Sequence, residues 1–446
     1  MRQLFHEQLA LSGPVVNHPH AQELEGVDRI LREYPDMVEL VLQDLQKALR
    51  APTDGREGMT AEQVLRVAVL MRLEACTYDE LSFHLADSWT YRGFCKLGVL
   101  AEVPGKSTLQ RNIKMIREET WEAINRRLMC HAADEGVEDG RKVRTDATVT
   151  ETDIHHPCDS ALLWDSVRVI TRLLAEAREK CGVAYYPMRT RRAKRRRMEV
   201  LNAKNERKRR SAYRDLLKVT QETVDYGSTA VVALDKLASL PGALALGTEL
   251  RHYIGLAERV IDQTERRVFY GEVVPASDKL VSIFEPHTDI IVKDRRDTHF
   301  GHKVTLTAGR SGLILDWVVE DGNPADSELA VRMMERQQEI YGRVPRQAAF
   351  DGGFASKANL RDIKGLGVKD VSFSKKRGLQ VLDMVKSEWV YKRLRNFRAG
   401  IEAWISFLKR SFGLDRCSWR GAPAFARYVG SSIVAGNLLT LARHLA

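Results

Sequence analysis

The sequence predicts a mixed α/β fold with a helical N-terminal domain and a long helical, basic insertion after the first strand. Three observations predict it. Helix-start signals fill the first hundred or so residues, β-type alternation begins near Arg141 and returns only after about residue 275, and strands then alternate with helices. At 446 residues the chain has length for two or three structural units.

The elements follow in order. Thr60 with Gln63, Thr77 with Glu80, and Ser107 with Gln110 fit the capping box, in which a hydroxyl and a side chain three residues on satisfy the first helical amides. They predict three helices, AEQVLRVAVLMRLEA, YDELSFHLADS and TLQRNIKMIREETWEAINRRL, with Val64, Val67, Ala68 and Met71 facing a core. Compact helices with tight turns suit a helix-turn-helix reader of DNA and a dimerisation or packing bundle equally. Residues 1–135 are therefore read as a helical N-terminal domain for DNA binding or dimerisation, and 136–446 as a second domain interrupted by a helical insertion over 155–275.

Arg141 to Thr148 reads as the first strand. Helical composition runs from about Ser160 to Arg267, as two long helices with a turn near Leu240-Pro241-Gly242. KLVSIFE and DIIVKD then read as short strands, and HKVTLTAG and LILDWVVED as a hairpin turning at Arg310, Ser311 and Gly312. A helix over Ser327 to Tyr341, a strand at RQAAFD, a helix at SKANLRDIKGLG, a strand at DVSFSK and a long final pair of helices complete the order.

Composition narrows the class. An apolar fraction of 44% is ordinary for a globular protein, and no apolar run approaches the roughly 18 residues that span a bilayer. MRQLFHEQLALSGP lacks the apolar core and cleavage site of a leader, so the expected location is cytoplasmic, with no membrane partner. The cysteines are scattered without C-x-x-C pairing and read as reduced thiols. His155, His156 and Cys158 cluster, but with no common zinc spacing.

Charge is concentrated. Between Arg189 and Arg210, twelve Lys or Arg face two Glu, an excess equal to the +10 of the whole chain. Arg191, Arg192, Lys194, Arg195, Arg196 and Arg197 lead this run. Such a cluster points to a polyanionic partner, because cations that displace condensed counterions gain affinity for nucleic acid; a solvated tract of like charge is the alternative.

Three acids stand out. Asp146 interrupts the β-favouring run KVRTDATVT, and Asp351 closes RQAAFD before two glycines that let the backbone turn; each reads as a strand-end carboxylate. In RNFRAGIEAWISFLKR, Arg398, Glu402 and Lys409 fall within roughly 40° on a helix, beside an apolar arc of Phe397, Ile401, Trp404, Ile405 and Leu408. An acid flanked by two cations suits holding a metal beside a phosphate. Glu402 is otherwise an i,i+4 partner for Arg398, and Asp351 a turn former.

The order of these motifs resembles the DDE transposases of bacterial insertion sequences. The resemblance rests on Asp146 in VRTDATV, on HFGHKVTLTAGRSGLILDWVVEDGNPADSELA, on Asp351 in AAFDGGFAS, on R-x3-E-x6-K at Arg398, Glu402 and Lys409, on Arg420-Gly421 and on Asn437. Arg395 departs from the family signature, which often has Tyr there.

The resemblance implies a ribonuclease-H-like mixed sheet and catalysis by Asp146, Asp351 and Glu402. These would hold two Mg²⁺ ions, with Mn²⁺ as a substitute, because carboxylates are the ligands hard cations take and two ions can stabilise both oxygens of an in-line displacement. Arg398, Lys409, Lys375 and Arg377 become candidate DNA-phosphate contacts. The implied reaction is cleavage at the element's ends, then attack of the freed 3′-hydroxyl on target DNA. The implied partners are double-stranded terminal inverted repeats and target DNA, held by a homodimer associated with the nucleoid. A nuclease that does not join strands, and a non-catalytic DNA-binding descendant of a transposase, are the alternatives.

Overall fold

The computed structural model describes Leu4 and residues 16–47, 58–98, 100–293 and 297–446. The segment MRQLFHEQLALSGP lies outside the described residues apart from Leu4, as does Asp294 at the end of DIIVKD. Two compact units are present, Met1–Glu151 with His302–Ala446, and Thr152–Gly301.

The first unit opens with α1 (Pro19–Glu33), α2 (Asp36–Lys47), α3 (Ala61–Leu73), α4 (Tyr78–Asp87), α5 (Trp89–Phe94), α6 (Lys106–Ile113) and α7 (Glu118–Asp134). The capping boxes at Thr60–Gln63 and Thr77–Glu80 form as read, and Val64, Val67, Ala68 and Met71 are buried. The third does not: α6 starts at Lys106 after Gly105, with no side-chain cap. The single helix expected over 108–128 is also two, α6 and α7. Asp44 explains the break, accepting the Arg117 amide at 2.8 Å and its Nε at 2.6 Å, so a carboxylate from α2 satisfies a donor at the start of α7.

After β1 (Lys142–Thr152) the second unit contains α8 (Asp159–Cys181), α9 (Thr190–Asn202), α10 (Glu206–Lys236) and α11 (Ala243–Val268). Two long helices were expected where four form. The missed breaks carry standard signals: Gly182 ends α8 in the left-handed region, and the Asn205 side chain accepts from the Lys208 amide at 2.9 Å to start α10. KLVSIFE is not a strand. The Gln263 side chain bonds both the amide and the carbonyl of Leu280, and Ser282 Oγ accepts from the amides of Phe284 and Glu285, so these backbone groups are satisfied without a neighbouring strand.

β2 (Asp289–Lys293) pairs antiparallel with the first residues of β3 (Asp297–Ala308), whose later residues, in the first unit, pair antiparallel with β4 (Ile314–Val319) across the expected turn. Next come α12 (Asp326–Tyr341), β5 (Gln347–Phe350), α13 (Lys357–Gly365), β6 (Asp370–Phe373), α14 (Val381–Met384), α15 (Glu388–Phe412), β7 (Arg416–Cys417) and α16 (Ala422–His444). The strand order β3-β1-β5-β6 joins parallel pairs β1–β5 and β5–β6 to the antiparallel hairpin, making the sheet mixed. One hydrophobic core joins α1–α7, the sheet and α15–α16. Asn437 on α16 ties these layers: it accepts from the Ile314 amide at 2.9 Å and donates to Asn125 of α7 at 2.7 Å. Among the described residues no helix is long and apolar enough to cross a membrane.

Candidate active site

The register of β1 and β5 brings the first two acids together. Thr145 pairs with Phe350 in parallel, so the next residues, Asp146 and Asp351, leave adjacent strands side by side. Asp146 is not at a strand end as expected, because β1 continues to Thr152; it sits where the β5 neighbour stops. Asp351 lies just past β5, as read. Gly352 is required by crowding: a Cβ there would lie 2.7 Å from Cγ of Lys375, whose stem crosses the backbone beside Asp351.

Ser374, one residue past β6, donates its hydroxyl to Asp351 Oδ1 at 2.8 Å. The sequence signal for it is indirect. Phe350 pairs with Phe373 in register, so the residue after β6 stands beside the residue after β5.

α15 supplies the third acid. Val390, Tyr391, Leu394, Ile401, Leu408 and Phe412 are buried against the core, while Phe397, Trp404 and Ile405 of the expected apolar arc are only partly covered. The helix is docked on β1 through Arg144, a buried residue that sequence reading missed. Its Nη1 donates to the Phe397 carbonyl at 2.8 Å, and its guanidinium lies 4.6 Å from the Phe397 ring centroid, with the Lys142 ammonium 4.3 Å from the same ring. The next residue is Arg398.

Arg398 meets all three acids. Its Nη2 lies 2.7 Å from Asp146 Oδ2 and 3.2 Å from Asp351 Oδ1, and its Nη1 lies 2.8 Å from Glu402 Oε1. The arginine side chain is 15% exposed and that of Glu402 65%, so the group runs from a covered floor at Asp146 to solvent at Glu402. Arg398 Nε is buried, with no hydrogen-bond partner among the described residues.

Burial pushes the Asp146 carboxyl up to about 6, against the downward pull of Arg398 and the Ala147 amide. Burial also pushes Asp351 up. There the Ser374 hydroxyl, the Gly352 and Gly353 amides and Arg398 outweigh it, and the carboxyl stays below its ordinary value. Two adjacent aspartates thus differ in proton affinity because Asp146 is the more deeply buried and Asp351 has the more donors.

The other expected contacts are scattered. Lys409 pairs with Asp415 at 3.2 Å rather than joining the acids. Arg377 is exposed in a turn with positive φ. In the second unit Arg192 and Arg196 both bind Asp215, Arg196 also binds Glu199 at 2.5 Å, and Arg195 lies 3.8 Å from Glu199. Arg197 lies over the Trp164 ring at 4.9 Å, while Arg191 and Lys194 face solvent. His155 turns to Asp165 at 3.5 Å, His156 sits edge-on to Phe300, and Cys158 lies 3.6 Å from the Ser160 hydroxyl.

Three carboxylates meeting on one cation form an all-oxygen donor set suited to a hard divalent ion. Among the described residues no three His, Cys, Asp or Glu side chains are drawn in on one another as a metal cluster. The acids are gathered by the guanidinium of Arg398.

Residues 287–438 match the family model described as Transposase DDE domain, a span that includes Asp351 and Glu402 and leaves out Asp146, which lies before the second unit. Residues 19–115 match the model described as Transposase domain (DUF772). No curated protein and no solved structure matches the chain.

Proposed function

The chain belongs to the DDE-type transposases, and from that premise we propose that it cuts the ends of its element and joins the freed 3′-hydroxyl to target DNA, with Asp146, Asp351 and Glu402 as the catalytic carboxylates. The observation that carries this reading is the convergence of all three on Arg398. Carboxylates from two strands and a helix, more than 250 positions apart at the extremes, have no structural need to share one guanidinium.

The mixed sheet supports a ribonuclease-H-like catalytic domain, with the second unit as its insertion. The three acids would hold two Mg²⁺ ions, or Mn²⁺ in their place, and ions bound there would activate the attacking oxygen and stabilise the leaving one. Asp146 is fixed within a continuous strand and gives the site a rigid floor. Asp351 is held by Ser374, and Glu402 stays open to solvent, where DNA arrives. Arg398 offsets the carboxylates' charge. Its contact with the exposed Glu402 is the weakest, because solvent screens it, so that arm of the fork is free to turn to a phosphate oxygen.

Lys375, whose stem lies on the backbone beside Asp351, and Lys409, roughly 10 Å along α15 from Glu402, would hold flanking phosphates, with Arg377 at the rim. Arg191 and Lys194, and more weakly the acid-paired Arg195, would contact DNA from the second unit. The helices before β1, which carry their own family match, would read DNA or dimerise the protein on paired ends. The protein would work in the cytoplasm, on the nucleoid.

The test uses purified protein, Mg²⁺ and a duplex made from the DNA that flanks the coding region, with a supercoiled plasmid as target. The expected result is a 3′-hydroxyl at the element end followed by joined products, both lost in Asp146→Asn, Asp351→Asn and Glu402→Gln while DNA binding persists. Cleavage at the wild-type rate by any of the three would remove that residue from the site. Hydrolysis without joined products from pre-cut ends would leave a nuclease.

A further inference from the structure

We propose that the cleft between α9 and α10 is a second DNA site, in which Lys204, Lys208, Arg214 and Lys218 follow the phosphodiester backbone of one strand. The cleft has a volume of about 870 Å³ and opens where α9 ends, with Asn202, Asn205 and Ser211 among its polar walls. It lies within the second unit and owes nothing to the carboxylate site. The proposal rests on the reading that the chain acts on DNA.

Charge in the cleft is unbalanced in a specific way. Its acids are already committed, Asp215 to Arg192 and Arg196, and Glu199 to Arg196. The two Asp215 pairs clamp α9 onto α10 and fix the wall. The remaining cations are left over. Among the described residues no carboxylate lies within 4.0 Å of the charged nitrogens of Lys204, Lys208, Arg214 or Lys218, and Arg214 packs its guanidinium near the Phe269 ring instead. The sequence run of like charge thus supplies Arg192 and Arg196, which build the cleft, and Lys204 and Lys208, which remain available inside it, and Arg214 and Lys218 extend the row along α10.

Spacing selects the ligand. Positions 208, 211, 214 and 218 of α10 advance by three, three and four residues, which keeps them on one helical face, and Lys204 stands in the turn just before that helix. From Lys208 to Lys218 that face extends about 15 Å. A DNA strand carries one phosphate per roughly 3.4 Å of axis, so about four phosphates match the row. An isolated phosphate or a free nucleotide would use only part of it. The start of α10 adds its own positive end to the Lys208 position.

The experiment measures binding of the full chain to a labelled duplex, by fluorescence anisotropy, between 50 and 200 mM salt. Wild type is compared with the triple variant Lys204→Ala, Lys208→Ala, Lys218→Ala. A control removes three exposed cations elsewhere in the same unit, Arg172→Ala, Lys236→Ala, Arg259→Ala. The cleft variant should lower the slope of log affinity against log salt by about 2.7, at about 0.9 for each phosphate no longer neutralised, and weaken binding at least tenfold at 150 mM salt, with the control much closer to wild type. An unchanged slope, or an equal loss in the control, overturns the proposal. A second arm titrates pyrophosphate and ATP. Tight binding of either that vanishes in the cleft variant, with the DNA slope intact, would mark a small-molecule phosphate site and also overturn it. The two readings fail separately: Asp351→Asn should keep the wild-type slope while losing cleavage, and the cleft variant should still cleave a duplex supplied at saturating concentration.

Discussion

Arg398 Nη2 lies 2.7 Å from Asp146 Oδ2, and the same nitrogen lies 3.2 Å from Asp351 Oδ1. One guanidinium nitrogen therefore serves two strands, and the neighbouring nitrogen serves Glu402 on the same helix as the arginine. A divalent cation entering this group competes with Arg398 for every one of its ligands. That competition sets a sign: Arg398→Ala should bind Mn²⁺ more tightly than wild type, by about tenfold if one charge-assisted hydrogen bond of about 1.5 kcal/mol no longer has to be given up. Calorimetric titration of Mn²⁺ without DNA measures it. Arg398→Lys, which keeps the charge but not the fork, should fall between the two. Equal Mn²⁺ affinities across the series would mean that the guanidinium does not stand in for the metal.

Ser374 predicts a smaller, more local effect. Among the described residues its hydroxyl is the one side-chain donor holding Asp351 other than Arg398. Ser374→Ala should slow end cleavage by about fivefold, the equivalent of about 1 kcal/mol for a missing hydrogen bond, and leave DNA affinity unchanged. A drop in affinity with an unaltered cleavage rate would assign Ser374 to DNA contact instead.

The acids were legible from sequence because each interrupts a pattern: Asp146 a β run, Asp351 a strand-to-glycine transition, Glu402 a polar stripe beside an apolar arc. Their shared contact was not, since Arg398 reads from sequence as a phosphate ligand and its carboxylate partners on β1 and β5 lie far away in the chain. Arg144 and Ser374 escaped for the same reason. Nothing local distinguishes a buried arginine that accepts a helix onto a strand from an exposed one. The fold failed to be legible where tertiary groups replaced local ones, as when Asp44 of α2 supplied the start of α7, or when Gln263 took the backbone of a segment whose composition favours a strand.

Gly400 and Gly255 predict opposite signs for one substitution. Both lie inside helices. A Cβ on Gly400 would collide with Arg144 Nη1, which is pinned by the Phe397 carbonyl, whereas a Cβ on Gly255 would meet no other side chain or element within 4 Å among the described residues. Gly400→Ala should cost about 1–3 kcal/mol by overpacking, and Gly255→Ala should gain about 0.5–1 kcal/mol from reduced unfolded-state freedom. Urea unfolding of the two variants beside wild type reads both. A neutral Gly400→Ala would mean that Arg144 has room to withdraw and that its dock on α15 is loose.

Asp215 gives the second unit an acid-sensitive clamp. The side-chain hydrogen bonds from Arg192 and then Arg196 outweigh burial and hold its carboxyl down to about 2. An unfolded aspartate titrates near 3.9. The folded value is the lower one, so the clamp's stabilisation is complete above about pH 4 and is lost as pH falls toward 2. Asp215→Asn should therefore destabilise α9 and α10 at neutral pH by about 1 kcal/mol, a modest figure because solvent reaches the pair. Hydrogen exchange of the α9 and α10 amides, corrected for the intrinsic pH dependence, should separate variant from wild type at pH 6 and bring them together near pH 2. A difference that persists unchanged at pH 2 would mean that Asp215 acts through packing, because its charge would by then be gone. The variant also frees Arg192 and leaves Arg196 with Glu199 alone, beside the cleft cations, so its duplex DNA affinity should rise at low salt even as the helices loosen; a fall would show that the clamp's geometry matters more to DNA than the charge it neutralises.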